Sequence, residues 1–317
     1  EHAFALMLSL ARKIPLADTS LRSGNWNKNS LVGQELQNKT LGILGLGKIG
    51  ALLAQRAQAF HMKVVAFDPF VSDDHATSLG VQLAKLNDLF SQSDFVSLHL
   101  PLNEKTKGLI NTSTLALMKK KSFLINTSRG ELVVEADLAN ALESGHLSGA
   151  ALDVFEEEPE IHASLLSSPK TIVTPHIAGS TVEAQSKVGY EIAVQISNYL
   201  NNEVILNAIN FPSMTPKEVE DLQHYVRLGE KLGSFIGQIC KIRISGIGIR
   251  YYGELSEVNY KPVSNYILKS ILKPILTEEI NEVNARNYAK ERGIAVIETV
   301  SSRERSYSNL ISIQLRS

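Results

Sequence analysis

The chain carries at residues 40–50 the run Thr40-Leu41-Gly42-Ile43-Leu44-Gly45-Leu46-Gly47-Lys48-Ile49-Gly50. A short apolar stretch of strand length enters a G-x-G-x-x-G pattern, which then leads into a helical sequence. In such a unit Gly45 permits the tight turn, Gly47 lets the backbone approach a phosphate, and Gly50 permits close contact between helix and strand. The helix N-terminus offers N–H groups and positive dipole character to that phosphate. Glycines also mark ordinary turns, so the surrounding sequence must show whether this pattern is a phosphate-binding loop or a plain turn.

A carboxylate follows the next apolar run. Lys63–Phe67 is a second predicted strand, and it ends at Asp68, 18 residues after Gly50. A carboxylate at this place accepts hydrogen bonds from the adenosine ribose hydroxyls of a dinucleotide and repels a 2′-phosphate. The three features together predict an NAD site that prefers NAD over NADP. The alternative is a glycine-rich turn in some other α/β protein, with a chance aspartate.

Short apolar runs alternate with amphipathic stretches through this region. Continuous apolar strands are expected where a sheet is covered on both faces, and strand alternating with helix indicates a parallel sheet. We therefore predict a doubly wound α/β domain of the Rossmann type. The predicted strands are Thr40–Leu44, Lys63–Phe67, Asp94–Leu98, Ser122–Asn126, Ser148–Val154 and Thr171–Thr174, and the predicted helices are Ile49–Phe60, Leu86–Ser91, Glu135–Ser144 and Ser180–Asn201.

The end of the first helix has an unusual residue. His61 follows Phe60 at the place where glycine usually takes the left-handed conformation. Histidine is tolerated there at some steric cost. We therefore interpret His61 as structural and not as catalytic.

The composition changes after Asn202. Proline residues punctuate this part of the chain, and Pro216 is predicted to begin a helix. We predict three parts: an NAD-binding domain over 1–179, a long helix over 180–202, and a smaller α+β domain over 203–317. Within the last part the predicted elements are strands over 241–255, 294–300 and 309–315 and a helix over 263–276.

Composition and charge exclude several classes of function. Apolar residues make up 44% and charged residues 21% of the 317 residues, which is ordinary for a soluble globular protein. The net charge is −1, and no basic face or polybasic run predicts binding to nucleic acid or to a membrane. The single cysteine, Cys240, excludes a disulfide framework and favours the cytoplasm. We expect no metal site.

The first residues predict a buried helix. Ala3–Ala11 is apolar but too short to span a bilayer, and it lacks the basic lead of a signal peptide. Residue 1 is Glu, so we expect that N-terminal sequence is missing, which leaves organellar targeting open. Because residues 3–20 are apolar nearly all round, we expect them to form part of a homodimer contact.

Three polar segments follow later predicted strands, at the edge where open α/β sheets bind ligands. They provide one arginine, a cluster of carboxylates and one histidine. A guanidinium binds a substrate carboxylate, an imidazole takes a hydroxyl proton as hydride leaves, and a carboxylate orients the imidazole. These residue types suit the oxidation of a 2-hydroxy acid, although each of them alone is more often structural. The segments are Asn126-Thr127-Ser128-Arg129-Gly130, Asp153-Val154-Phe155-Glu156-Glu157-Glu158-Pro159 and Thr174-Pro175-His176-Ile177-Ala178-Gly179.

With the glycine run and these segments, the chain resembles the D-isomer-specific 2-hydroxyacid dehydrogenases from residue 1 to about residue 210. The resemblance implies that Arg129 binds the substrate carboxylate, that His176 donates or accepts the proton, and that Glu158 is its acidic partner. Glu156 and Glu157 compete for the last role; Glu158 is preferred because the family's acid immediately precedes the proline. The implied cofactor contacts are Gly45, Gly47, Lys48, Ile49, Gly50, Asp68, Leu100, Thr127, Ser128, Arg129, Asp153, His176 and Gly179.

The tail resembles the intervening domain of the long family members that act on 3-phosphoglycerate. This resemblance implies NAD-dependent oxidation of 3-phospho-D-glycerate to 3-phosphohydroxypyruvate, the first step of serine synthesis, by a homodimer or homotetramer. Two alternatives stay open: a hydroxypyruvate or glyoxylate reductase, and an NAD-sensing transcriptional corepressor on the same fold. The segments that carry the resemblance are Leu206-Asn207-Ala208-Ile209-Asn210, Tyr252-Gly253-Glu254-Leu255, Val283-Asn284-Ala285-Arg286 and Ala289-Lys290-Glu291-Arg292-Gly293-Ile294.

The family's N-terminal half of the substrate domain has no counterpart in residues 1–202. That half contributes the loop that covers the substrate, and closure of the cleft excludes water and aligns the reacting carbon. We therefore expect the 317-residue chain alone to bind NADH but to turn over slowly.

Overall fold

The structure, a computed structural model, describes residues 1–202, 205, 208–212, 214, 216–240, 244–256, 259–276, 279–301 and 307–317. Backbone contacts divide the chain into two units, Glu1–Gln185 and Ser186–Ser317. The predicted domain borders at residues 179 and 202 stay predictions. Two predicted features lie outside the described residues in part: residues 206–207 of the tail motif and residues 241–243 of the strand over 241–255.

A parallel sheet of seven strands forms the centre of the first unit. Its strands are β1 (Thr40–Leu44), β2 (Lys63–Phe67), β3 (Gln82–Leu83), β4 (Phe95–Leu98), β5 (Phe123–Asn126), β6 (Gly149–Leu152) and β7 (Thr171–Val173). The strand order is β3-β2-β1-β4-β5-β6-β7, and every neighbouring pair is parallel. The predicted fold class is confirmed, and the six predicted strands lie within two residues of their predicted ends. β3 was not predicted because two residues carry no periodic pattern.

Helices cover both faces of this sheet. The first eight helices are α1 (His2–Arg12), α2 (Ile14–Arg22), α3 (Lys48–Ala59), α4 (Asp73–Ser78), α5 (Leu86–Gln92), α6 (Thr112–Leu117), α7 (Glu135–Glu143) and α8 (Ala163–Ser167). One buried cluster joins apolar side chains of α1, α3 and α4 to the sheet, and a second cluster joins those of α5 to α8 to the opposite face. A sheet buried on both faces needs strands that are apolar throughout, which is the pattern that predicted it. Helix α9 (Val182–Asn202) follows, is exposed along most of its length, and continues past Gln185 into the second unit.

Helix α1 packs on the sheet of its own unit. Phe4, Leu6, Met7 and Leu10 are buried there, and α1 contacts β5 and β6. These four apolar side chains therefore fill the core of the unit and are not available to a partner. Within the predicted contact of residues 3–20, Ile14 and Leu16 are exposed, and Leu21, Trp26 and Val32 are exposed beyond it. The homodimer contact stays a prediction.

The sheet also explains why the predicted site segments meet. In a parallel sheet all C-terminal strand ends lie at one edge, so the loops after β1, β4, β5, β6 and β7 leave the sheet together. The strand order reverses between β1 and β4, because β2 and β3 are added on one side of β1 and β4 to β7 on the other. Open α/β sheets bind ligands in the crevice at that point. The crevice therefore lies beside the glycine run at Gly45–Gly50.

His61 has the predicted left-handed conformation, with φ of 57°. Its backbone N–H donates to the Gln58 carbonyl at 2.9 Å, which closes the last turn of α3. The left-handed conformation expected for His61 just after this helix is confirmed.

The second unit is an α+β domain. Its strands are β8 (Gly246–Gly253), β9 (Ala295–Ser301) and β10 (Asn309–Arg316), and its helices are α10 (Pro216–Ile239), α11 (Lys261–Leu272) and α12 (Ala285–Glu291). β8 lies in the middle, antiparallel to β10 and parallel to β9. Helix α11 is buried against α10 and the sheet. In the described part of the chain, no helix is long and apolar enough to cross a membrane.

Candidate active site

The glycine loop after β1 is shaped by close backbone contacts. Gly45 has φ of +95°, and a Cβ there would lie 2.5 Å from the His99 carbonyl oxygen. A Cβ at Gly50 would lie 2.1 Å from the Gly45 carbonyl oxygen, so any side chain would push α3 away from the turn. At Gly47, by contrast, a Cβ would meet no other atom within 4 Å. The backbone at Gly47 is therefore open to a ligand.

Helix α3 begins at this open position. Gly47 is its N-cap residue, and no side chain caps the helix. Lys48 and Ile49, in the first turn, are exposed. The N–H groups of an uncapped first turn and the helix dipole favour an anion. These features fit the pyrophosphate of a dinucleotide.

Asp68 lies beside the same turn, after β2. Its Oδ2 accepts a hydrogen bond from the Leu46 N–H at 2.9 Å, and its Oδ1 accepts one from the Phe70 N–H at 2.9 Å. Asp68 therefore holds the glycine loop. Because each carboxylate oxygen has two lone pairs, this half-buried group keeps capacity for ribose hydroxyls.

The segment after β5 is fixed by its own polar side chains. Asn126 Nδ2 donates to the Arg129 carbonyl at 2.8 Å, and Asn126 Oδ1 accepts from the Ser128 N–H at 3.1 Å. Ser128 Oγ donates to the Leu100 carbonyl at 2.7 Å, which joins this segment to the loop after β4. Thr127 is half-buried, whereas the Arg129 side chain is exposed, and its Nη1 donates to the Ser128 carbonyl at 2.6 Å.

His176 and Glu158 form a hydrogen-bonded pair. His176 Nδ1 lies 2.8 Å from Glu158 Oε2, and Glu158 Oε1 accepts from the Phe155 N–H at 3.2 Å. The hydrogen bond from His176 is the main reason why the pKa of Glu158 lies below its ordinary value near 4.5. Since Nδ1 is held, Nε2 is the ring nitrogen available to a substrate.

The backbone of His176 is constrained as well. Its φ is 51°, in the left-handed region that residues other than glycine seldom occupy. The His176 N–H donates to the Asp153 carbonyl at 2.8 Å, which holds this conformation. Such residues cluster at functional sites. Of the three competing carboxylates, the structure brings Glu158 to His176, while Glu156 and Glu157 are exposed in the same loop.

Asp153 lies behind the pair and is fully buried. Its carboxylate accepts from the Ile177 N–H at 2.9 Å and the Ala178 N–H at 2.8 Å. The hydroxyl of Thr174 also donates to it, and His2 Nε2 lies 3.3 Å away. Asp153 therefore fixes the loop that carries His176. Its predicted contact with the cofactor stays a prediction, as does that of Gly179, which is exposed at the end of the loop.

Sequence reasoning missed His99, which follows β4 directly. Its Nε2 lies 2.9 Å from Ser97 Oγ, and its carbonyl packs on Gly45. Burial lowers the pKa of His99 to about 4, so the ring is neutral near pH 7. The available signal was its position at the end of a strand beside Leu100, the same rule that identified the other segments.

Taken together, one sheet edge of the first unit carries an uncapped helix N-terminus, a carboxylate beside it, an exposed arginine, and a histidine paired with a glutamate. The first two features suit a dinucleotide. An arginine can bind a carboxylate, and a paired histidine can transfer a proton.

Family models match both units. Residues 4–178 match the model described as "D-isomer specific 2-hydroxyacid dehydrogenase, NAD binding domain". Residues 221–317 match the model described as "D-3-phosphoglycerate dehydrogenase intervening domain".

Curated relatives align along nearly the whole chain. The chain is 41% identical over 315 residues to a D-3-phosphoglycerate dehydrogenase of Bacillus subtilis, covering 99% of this chain and 60% of the relative. It is 42% identical to one of Synechocystis, covering 99% of this chain and 57% of the relative. The chain thus spans about 60% of the length of these relatives.

Solved structures show the same likeness. A glyoxylate reductase from Paecilomyes thermophila superimposes with a TM-score of 0.62 at 33% identity, covering 65% of this chain and 63% of that one. The D-lactate dehydrogenase from Aquifex aeolicus, complexed with NAD and lactic acid, gives a TM-score of 0.58 at 30% identity, covering 63% and 65%. From the family match over residues 4–178 and these likenesses it follows that the chain belongs to the D-isomer specific 2-hydroxyacid dehydrogenases and contains their NAD-binding domain.

Proposed function

We propose that the natural gene product containing this chain oxidises 3-phospho-D-glycerate to 3-phosphohydroxypyruvate with NAD, the first step of serine synthesis. The observation that carries the reaction type is the 2.8 Å hydrogen bond between His176 and Glu158 at the sheet edge. The substrate is inferred from the tail, because residues 221–317 match an intervening domain named for 3-phosphoglycerate dehydrogenases.

In the proposed reaction His176 removes the proton of the C2 hydroxyl through Nε2. Glu158 orients the ring through Nδ1 and stabilises the imidazolium that forms. Arg129 binds the substrate carboxylate and polarises the C2 oxygen. When bound, NAD accepts the hydride from C2. In the reverse direction His176 returns the proton to the C2 oxygen.

We assign the cofactor to the crevice beside β1 and β4. The pyrophosphate is proposed to contact the backbone of the open first turn of α3, and the adenosine ribose to contact Asp68. Asp68 supports NAD over NADP because a 2′-phosphate would meet its negative charge. The proposed cofactor contacts are Gly45, Gly47, Lys48, Ile49, Gly50, Asp68, Leu100, Thr127, Ser128, Arg129, Asp153, His176 and Gly179.

Substrate selectivity tests this proposal. NADH oxidation by the natural gene product would be measured with 3-phosphohydroxypyruvate, hydroxypyruvate and glyoxylate. We expect kcat/KM for the phosphorylated keto acid to be roughly 100-fold higher, which corresponds to about 3 kcal/mol from charge-assisted hydrogen bonds to phosphate. A preference for glyoxylate or hydroxypyruvate would make the protein a reductase. NADH binding without turnover of any of the three would favour the NAD-sensing alternative.

We further propose that the protein is a homodimer or homotetramer, located in the cytoplasm. Support for self-association comes from exposed apolar side chains between residues 14 and 32, which include Trp26 at 81% and Val32 at 72% exposure. These side chains fall within one short segment of the chain, and exposed apolar surface marks interaction sites. Light scattering at micromolar concentration tests this, with Trp26→Ser and Val32→Ser as disrupting variants. A monomer for the parent protein would reject self-association.

A further inference from the structure

Glu135 is a buried carboxylate that the proposed reaction does not use. It is the first residue of α7 and is 9% exposed. Its Oε1 accepts from the Glu156 N–H at 2.9 Å, and its Oε2 accepts from the His162 N–H at 3.2 Å. A buried carboxylate is unfavourable unless hydrogen bonds satisfy it, so these two contacts account for its presence.

The two N–H groups bracket Glu158. The Glu158 loop, residues 156–162, is separated from the end of β6 by three residues, carries Glu158 near its middle, and ends at His162, the N-cap residue of α8. The backbones of Glu157 and Glu160 form an antiparallel bridge inside the loop, but most of the side chains of the loop are exposed. The single carboxylate of Glu135 thus holds both ends of the loop that presents Glu158 to His176.

Glu135 also belongs to the segment that carries Arg129. A short turn over Gly130–Leu132 connects the two residues. At the start of that turn Gly130 packs on the Phe155 backbone so closely that a Cβ would lie 1.9 Å from the Phe155 carbonyl group. The chain from Arg129 to Glu135 therefore contacts Phe155, just before the Glu158 loop, through Gly130, and contacts both ends of the loop through Glu135.

We infer that Glu135 is a positioning residue that fixes the Glu158 loop against the Arg129 segment and so sets the contact between Glu158 and His176. The effect of Glu135 on turnover rests on the proposed function. Glu135 itself does not touch the reacting atoms. It acts on the geometry in which Glu158 holds the imidazole, and catalysis is sensitive to displacements of such groups by about 1 Å.

The chain offers a matched control on the same helix. Asp137 also lies in the first turn of α7, and its Oδ2 accepts the Thr112 N–H at 2.8 Å. This contact leads to α6 and not to the Glu158 loop. Glu135→Gln and Asp137→Asn therefore each remove one negative charge and perturb one carboxylate–backbone contact of α7. In Glu135→Gln, one oxygen becomes an NH2 group that faces a backbone N–H donor.

Two measurements separate positioning from general stability. Steady-state kinetics of the natural gene product would give kcat and KM for NADH, and NMR titration of labelled glutamate in the 317-residue chain would give the pKa of Glu158. We expect Glu135→Gln to lower kcat about tenfold or more, with KM for NADH within about twofold of the parent. The pKa of Glu158 should rise towards its ordinary value as its hydrogen bond to His176 is lost. Asp137→Asn should change neither quantity.

Equal losses of kcat in both variants, or an unchanged kcat and an unchanged Glu158 titration in Glu135→Gln, would overturn the inference. If Glu135→Gln does not fold, Glu135→Asp replaces it, because the shorter side chain keeps the charge but cannot reach both N–H groups. If the parent protein has no turnover, the proposed function fails, whereas the Glu158 titration still decides the positioning role.

Discussion

At the scale of single residues, the structure distinguishes groups that face the crevice from groups that support them. His176 and Glu158 are partly exposed and bind each other, whereas Asp153 is fully buried and binds the backbone that carries His176. Both carboxylates follow β6, and the family resemblance assigned Glu158 to His176 and Asp153 to the cofactor. Their different roles come from side-chain direction, which the loop conformation decides.

The Glu158 side chain provides the first prediction. Glu158→Gln removes the anion that favours imidazolium, so turnover should fall at least about tenfold. The limb of the pH–rate profile that reports loss of the proton donor should also move to lower pH. Glu157→Gln, two residues before Pro159 in the same exposed loop, is the control and should leave the profile unchanged. A profile of Glu158→Gln that overlays the parent would transfer the role to another carboxylate.

The second prediction concerns Asp68 and the preference for NADH over NADPH. Asp68→Ala removes the charge that would repel a 2′-phosphate, so the ratio of Kd values for NADPH and NADH should fall at least about tenfold. Because Asp68 also holds the Leu46 N–H, NADH itself should bind more weakly. Fluorescence titration of both cofactors checks this. Equal binding of the two cofactors by the parent protein would remove the basis of the prediction.

At the scale of elements, the third prediction uses two glycines of one motif. At Gly50 an added Cβ would meet the Gly45 carbonyl at 2.1 Å, so Gly50→Ala should destabilise the first unit by about 1–3 kcal/mol. At Gly47 the Cβ would enter open space, so Gly47→Ala should leave stability within about 0.5 kcal/mol but weaken NADH binding. Denaturant unfolding and NADH titration of both variants check this. Equal unfolding energies for the two would contradict it.

His99, at the end of β4, gives the fourth prediction. Burial lowers its pKa to about 4, while the unfolded chain has the ordinary value near 6.5. Between these values the unfolded state binds more protons, so stability is lost as pH falls from 6.5 towards 4. Below both pKa values the full loss is about 3 kcal/mol. His99→Asn should flatten this part of the pH–stability curve. An NMR titration that finds His99 charged at pH 6 would contradict the prediction.

The elements themselves followed from the sequence because their signals are local. Apolar runs gave six strands of the first sheet, and Pro216 gave the start of α10. Strand-end loops gave Arg129, Glu158 and His176. Other features depend on contacts between distant segments, which no local pattern contains. Glu135 was seen only as part of a predicted helix, yet its carboxylate binds residues 21 and 27 positions away.

At the scale of the whole molecule, the two units carry different information. The first unit contains every residue assigned to chemistry, together with the cofactor crevice. The second unit contributes no residue assigned to chemistry, but its match to an intervening domain narrows the choice of substrate. In the proposed function, the reaction type is therefore inferred from the first unit and the substrate from the second.

The most direct test of the proposed function follows the hydride itself. The natural gene product would be incubated with 3-phosphohydroxypyruvate and NADH deuterated at the transferred C4 position, and the product analysed by NMR and mass spectrometry. We expect 3-phospho-D-glycerate with one deuterium at C2 for each NADH oxidised, and we expect that His176→Asn binds NADH but forms almost no product. NADH binding without deuterium at C2 of the product, or full turnover by His176→Asn, would contradict this expectation.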